Sequence, residues 1–343
     1  MHEIAERVLT GDPRAIARAL RWIDDRVPQA EEILRDLFPS TGKAWVIGVT
    51  GNPGAGKSTL CDRLIEAFRK RALKVAVIAV DPTSPYTGGA ILGDRIRMSR
   101  HATDPGVFIR SVATRGHLGG LSRSARDMVR ILDAAGYDIV IVETVGVGQD
   151  ELEITRTAHS TLVVMAPGLG DEVQAIKAGI METADVFAVN KADKDGADAT
   201  VRDIELMIAL GGESLVAVGK IRGHVVHGGA GEAAAHGVVA PVGASHWTPP
   251  ISRVVSTRGV GFDELVAALE SHRTWLTETT AGQERRRARL AEELRETLRE
   301  ALIEAAEHDL AATMDLVVAS VAAREVDPYT ATRELVEKFR ARF

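Results

Sequence analysis

Gly51-Asn52-Pro53-Gly54-Ala55-Gly56-Lys57-Ser58 fits the pattern G-x-x-x-x-G-K-[ST]. Glycines let a backbone curl until its N–H groups face phosphate oxygens, and a helix N-terminus behind the curl adds positive potential. The lysine then supplies a cation for the β- and γ-phosphates, and the serine a hydroxyl for Mg²⁺. The residues expected on the phosphates are therefore Gly51, Asn52, Pro53, Gly54, Ala55, Gly56, Lys57, Ser58 and Thr59. A glycine-rich turn without a ligand is the bland alternative. Against it stand the apolar strand before the turn (Trp45–Thr50) and the helical pattern after it (Thr59–Arg71).

The choice of base falls to Asn190-Lys191-Ala192-Asp193, which follows the apolar run Val186–Val189 and matches N-K-x-D. A carboxylate at Asp193 can accept both N1–H and the exocyclic amine of guanine. Adenine offers neither hydrogen in that arrangement and would leave the carboxylate unpaired. Ser256 and Thr257, at the end of the last strand, are expected to complete the base pocket with a hydroxyl and a backbone amide.

Acidic residues at strand ends between these motifs are candidates for Mg²⁺. Asp81 ends the second strand, Asp94 lies in a glycine-rich stretch, and Glu143 opens Glu143-Thr144-Val145-Gly146, where ordinary GTPases carry D-x-x-G. Mg²⁺ keeps several waters, so Ser58 with one or two of these carboxylates suffices. Lys57, Asp81 and Glu143 are the expected catalytic set. No glutamine directly follows Gly146. Gln149 lies further on, so slow intrinsic turnover is expected.

The elements that must position these residues alternate. Apolar, β-branched runs at Trp45–Thr50, Lys74–Val80, Val107–Val112, Asp138–Glu143, Thr161–Met165, Val186–Asn190 and Ile251–Ser256 are separated by helical segments. Strands apolar throughout suit a parallel sheet covered on both faces. The fold class expected is α/β, a P-loop NTPase with a mostly parallel, doubly wound sheet and helical extensions at both termini. The expected divisions are an N-terminal helical extension over 1–40, a GTPase domain over 41–272 and a C-terminal helical arm over 273–343. In the first, Asp12 reads as an N-cap with Pro13 at the first helical position. Residues 211–250, rich in glycine and alanine and holding His224, His227, His236 and His246, read as a mobile inserted loop. Leu290, Leu294, Leu298 and Leu302 form a narrow stripe that would meet either a partner helix or the helix's own domain.

Composition sets the outer limits. At 343 residues the chain can bury a large core, and its single cysteine, Cys61, excludes a disulfide scaffold or a cysteine-rich zinc module. A net charge of −6 argues against a nucleic-acid binder. No apolar run approaches the ~18 residues of a membrane span, and Met1–Thr10 resembles no signal peptide. A cytoplasmic protein without a membrane partner is expected.

Taken in order, Gly51–Thr59, Val80-Asp81-Pro82-Thr83-Ser84, Thr87–Arg97 (TGGAILGDRIR), Leu118-Gly119-Gly120, Glu143–Gln149 (ETVGVGQ), Pro167–Lys177 (PGLGDEVQAIK) and Asn190–Asp193 closely resemble the MeaB/ArgK family of P-loop GTPases. The resemblance covers nearly the whole chain. It implies a GTP- and GDP-binding chaperone that gates cofactor loading and protects an adenosylcobalamin-dependent acyl-CoA mutase, usually methylmalonyl-CoA mutase. It also implies a homodimer joined by the C-terminal helices. A further switch at Gly168–Lys177 is implied, with Asp171, Gln174 and Lys177 as the matching polar positions beside Gly146 and Gln149. The chain departs from the family in the length of 211–250 and in the closing turn Ser256-Thr257-Arg258-Gly259. Alternatives are a transport-linked ATPase or kinase, a metal-insertion GTPase drawing on the histidines of 211–250, and a scaffold that binds nucleotide without cycling. Asp193 speaks against ATP, the lone Cys61 against metal insertion, and the full phosphate-site set against the scaffold.

Overall fold

A computed structural model describes residues 1–81, 98–101, 103–113, 120–144, 157–168, 183–221 and 246–341. Seven strands, β1 (Trp45–Gly51), β2 (Val75–Asp81), β3 (Val107–Ala113), β4 (Ile139–Thr144), β5 (Ser160–Met165), β6 (Val186–Val189) and β7 (Ile251–Arg253), form one sheet in the order β3-β2-β4-β1-β5-β6-β7. Every neighbouring pair is parallel. This is the doubly wound α/β sheet that the strand pattern predicts, with the ends of β1–β6 shifted by at most one residue. β7 is the shortest, closing at Arg253 rather than at Ser256.

Successive side chains of a strand point to opposite faces, and here each face finds a helical layer. Val140 and Val142 of β4 join α1 (Glu3–Leu9), α2 (Pro13–Asp24), α3 (Gln29–Leu37) and α5 (Gly120–Ala134) in one apolar cluster. Ile139 and Ile141 face the opposite way, into a cluster with α4 (Lys57–Lys70) and α7 (Phe262–Glu278). Cys61 is fully buried there, as a core residue. A third cluster packs α6 (Ala197–Ile221) against Val163, Met165, Phe187 and Val189. The amino-terminal helices thus help cover one face of the sheet.

Local signals act where the sequence places them. Asp12 accepts from the N–H groups of Arg14 and Ala15 at the start of α2, with Pro13 in the first turn. Asp327 does the same for Tyr329 and Thr330 at α9 (Pro328–Arg340). The segment 211–250 needs a correction, since α6 continues through it as far as Ile221. Residues 222–245, with His224, His227 and His236, lie outside the described residues.

The chain divides into two compact units, Met1–Arg285 and Arg286–Phe343. The second holds most of α8 (Thr280–Ala322) and all of α9. Its leucine stripe is open to solvent: Leu290, Leu294, Leu298 and Leu302 are 51–70% exposed. Among the described residues no helix is long and apolar enough to cross a membrane.

Candidate functional site

The carboxyl ends of β1, β4 and β5 lie side by side, with Val49 in register with Glu143 and Gly51 with Val164. The strand order reverses about β1, since the chain reaches β4 on one side of it and then β5 on the other. In open α/β sheets the crevice at such a point is where ligands bind. The glycine-rich turn leaves β1 there and feeds α4.

Two glycines in that turn are required by space as well as by angle. Gly51 has φ +135°, and a Cβ on it would collide with the Val164 carbonyl of the neighbouring strand. Gly56 has φ +92° and caps α4, and its Cβ would lie 2.5 Å from Nδ2 of Asn190. The turn is therefore drawn tight against β5 on one side and the N-K-x-D segment on the other.

Lys57 is buried, and its Nζ donates to the carbonyls of Gly51 (2.5 Å) and Asn52 (3.0 Å). The ammonium is held over its own turn. Ser58 Oγ donates to Glu143 Oε1 at 2.7 Å, and both residues are buried. This pairing brings together two oxygen donors separated by 85 positions in sequence. Thr144 Oγ1 donates to Thr50 Oγ1 (3.1 Å), tying the ends of β4 and β1 just beside them. Asp81 is the last residue of β2. The other expected residues, Asp94, Gly146, Gln149, Asp171, Gln174 and Lys177, lie outside the described residues.

In the N-K-x-D segment, Asn190 is 3% exposed and uses both ends of its amide. Nδ2 donates to the Ala55 carbonyl of the phosphate turn (2.8 Å). Oδ1 accepts from Lys191 N (2.8 Å), Ser256 N (3.1 Å) and Ser256 Oγ (2.9 Å). Lys191, at φ +56°, reaches back to the Gly54 carbonyl with its Nζ (2.8 Å). One asparagine thereby joins the phosphate turn, the N-K-x-D segment and the closing turn. Sequence pattern pointed to each of these three, and the fold gathers them.

Two nearby arginines carried no motif signal. Arg258, in the closing turn, pairs with the Asp193 carboxylate at 3.1 Å, with both side chains partly exposed. Arg63, on α4, donates to the Ser256 and Thr257 carbonyls. Its neighbour Glu66 is held down at about 2, first by the Lys70 ammonium and then by the Arg63 guanidinium.

The profile of the family described as methylmalonyl-CoA mutase-associated GTPase MeaB matches residues 16–311. The chain belongs to the MeaB family of GTPases. A Pyrococcus horikoshii protein named "Putative GTPase" is 44% identical over 336 residues, spanning 98% of this chain and 97% of that one. The Escherichia coli GTPase ArgK is 45% identical over 197 residues, 56% of this chain and 60% of its own. The mitochondrial methylmalonic aciduria type A homolog of Caenorhabditis elegans is 36% identical over 226 residues, 61% of this chain and 57% of its own. Among solved structures, one titled LAO/AO transport system kinase matches with a TM-score of 0.64 at 28% identity, over 98% of this chain and 97% of that one. This MeaB-family protein is thus a P-loop GTPase, and GTP and GDP are its nucleotides.

Proposed function

We propose that this GTPase serves an adenosylcobalamin-dependent acyl-CoA mutase, most readily methylmalonyl-CoA mutase, gating the loading of intact cofactor and protecting the mutase during turnover. The observation that carries this reading is the family match over residues 16–311, whose description names that mutase. The likeness to a methylmalonic aciduria type A homolog supports it. The chain would act as a cytoplasmic homodimer, with the exposed leucines of the arm as the joining face.

In this reading the turn's backbone N–H groups and Lys57 hold the phosphates. Lys57 Nζ already sits over the turn on two carbonyls, and phosphate oxygens would replace those acceptors. The Ser58–Glu143 pair fits Mg²⁺, which takes oxygen donors and retains waters. Bound there with Asp81 and Asp94, the ion would neutralise charge on the β- and γ-phosphates. Lys57 would stabilise the transferring phosphoryl group as the bond to the β-phosphate breaks. Asn190, Lys191, Asp193, Ser256 and Thr257 would select guanine. Residues 81–97, 143–151 and 168–177 would report the γ-phosphate to the partner, since such segments are ordered by it and released on hydrolysis.

The test is co-purification of this chain with purified methylmalonyl-CoA mutase under GTP, GDP and no nucleotide, alongside an adenosylcobalamin-loading assay. Nucleotide-dependent complex formation and GTP-dependent loading are expected. A mutase that neither binds this chain nor changes its loading would overturn the reading. Light scattering on the free protein should give twice the chain mass, falling to one with Leu294→Glu and Leu298→Glu together.

A further inference from the structure

The turn that closes the base pocket is held from behind by the helix that follows the phosphate turn. Arg63 Nε donates to the Ser256 carbonyl at 2.9 Å, and Nη2 donates to the Thr257 carbonyl at 3.1 Å. The third arm of the fork, Nη1, donates to Glu66 at 2.9 Å, which fixes the plane of the guanidinium. Glu66 is itself anchored by Lys70 (3.1 Å) and Arg100 (3.1 Å). A planar fork preset in this way loses little freedom in holding two successive carbonyls.

A trans peptide sets its C=O and N–H in opposite directions, and the chain's described peptides contain no cis bond. Holding the Ser256 carbonyl against Arg63 therefore turns the Thr257 N–H away from α4. Holding the Thr257 carbonyl does the same to the Arg258 N–H, which goes to the Val255 carbonyl at 3.0 Å. The Thr257 N–H donates to no described residue, and Thr257 is exposed. Its neighbour Ser256 is locked on Asn190, and Arg258 lies against Asp193. An outward-facing donor thus stands on the same turn as the contacts to both of the expected base-reading residues.

We propose that Arg63 is a positioning residue of the guanine pocket: by gripping the carbonyls of Ser256 and Thr257 it aims the Thr257 N–H at guanine O6. The Asp193 carboxylate reads the hydrogen-donating edge of the base, and the amide aimed by Arg63 reads its acceptor. This rests on the guanine role proposed above for Asn190–Asp193 and deepens it. Arg63 touches no part of the nucleotide.

The experiment compares GDP with the diphosphate of 2-aminopurine riboside, which keeps the exocyclic amine but lacks both O6 and the N1–H. Dissociation constants of both are measured for the full-length wild type, Arg63→Ala and Arg63→Lys, with ADP as a control. Arg63→Ala should weaken GDP about fivefold, the worth of one neutral hydrogen bond, and leave the 2-aminopurine analogue within about twofold. Arg63→Lys, with one donor group for two carbonyls, should fall between. If both nucleotides weaken in parallel, Arg63 is a general brace of the fold and the inference is lost. It is lost equally if GDP binding is unchanged. Failure of Arg63→Ala to fold transfers the decision to Arg63→Lys and to hydrogen exchange at the Thr257 amide. That amide should gain protection when GDP is added to wild type, and no gain overturns the proposal. Equal affinity of wild type for ADP and GDP would instead defeat the guanine reading of Asn190–Asp193 itself.

Discussion

At the carboxyl end of the sheet, buried Asn190 ties three loops together, and the groups beyond it stay within reach of solvent: Lys191, Asp193, Thr257 and Arg258. At the amino end, Ser160, His272 and Asp185 meet in an arrangement of the same polarity, but all three are at most 1% exposed. Ser160 Oγ lies 2.8 Å from His272 Nδ1 and accepts from Trp45 Nε1 at 3.0 Å. Asp185 accepts from Thr161 N (2.8 Å) and Arg285 Nη2 (2.6 Å), and its carbonyl accepts from Trp247 Nε1 (2.7 Å). The rings of Trp247, His272 and Trp275 pack together over it. A serine, a histidine and an aspartate in contact are the residue types of a hydrolase, yet no substrate can reach them. Composition alone does not make a site. A network sealed from solvent has no face to offer a ligand, and one that ends in donors and acceptors facing a crevice is equipped to bind.

The sharpest way to break this contrast is at Lys57. Lys57→Ala should lower GTP turnover by about 10³-fold, the scale of losing a principal charge-stabilising donor, while thermal unfolding stays cooperative. Turnover close to wild type in a phosphate-release assay would remove Lys57 from the site. At the opposite end, Asp185→Ala should destabilise the fold by about 3–5 kcal/mol in urea titrations, since Arg285 and the Thr161 N–H lose a buried acceptor. GDP affinity of the folded protein should hardly move. A large loss of affinity there would blur the division between the two ends.

Asn190→Ala probes the carboxyl-end network and should weaken GDP binding by about 10–100-fold in calorimetry, as three loops lose their shared partner. The smallest effect is expected at the rim, at Glu66. Its folded value of about 2 lies below the ordinary 4.5, so its contribution is complete above pH 4.5 and lost as pH falls toward 2. The stability difference between wild type and Glu66→Gln should therefore be flat above pH 5 and shrink across that window. A difference that grows on acidification would reverse the sign of the coupling.

Much of this was legible in the chain. The apolar runs marked all seven strands because a parallel sheet buried on both faces leaves little room for polar residues. The phosphate turn was legible because glycine spacing, lysine and hydroxyl act over eight consecutive residues. Asp12 announced its helix because capping is a local hydrogen bond. The run 211–221 misled, for its glycines argue against a helix that α6 nonetheless continues to Ile221. Arg63 gave no signal at all. An arginine on an amphipathic helix reads as a solvated face until the turn it grips, 193 positions away, is folded against it.

The strands, the glycine-rich turn and the segment Asn190–Asp193 were legible locally, because each depends on residues within a few positions of one another. Tertiary structure decided which of them meet. It set Ser58 against Glu143, made Asn190 the common partner of three loops, and sealed Ser160, His272 and Asp185 beneath aromatic rings. The reason is physical: the burial and hydrogen-bond partners of a polar group depend on what packs beside it, and strand order brings together residues far apart in the chain.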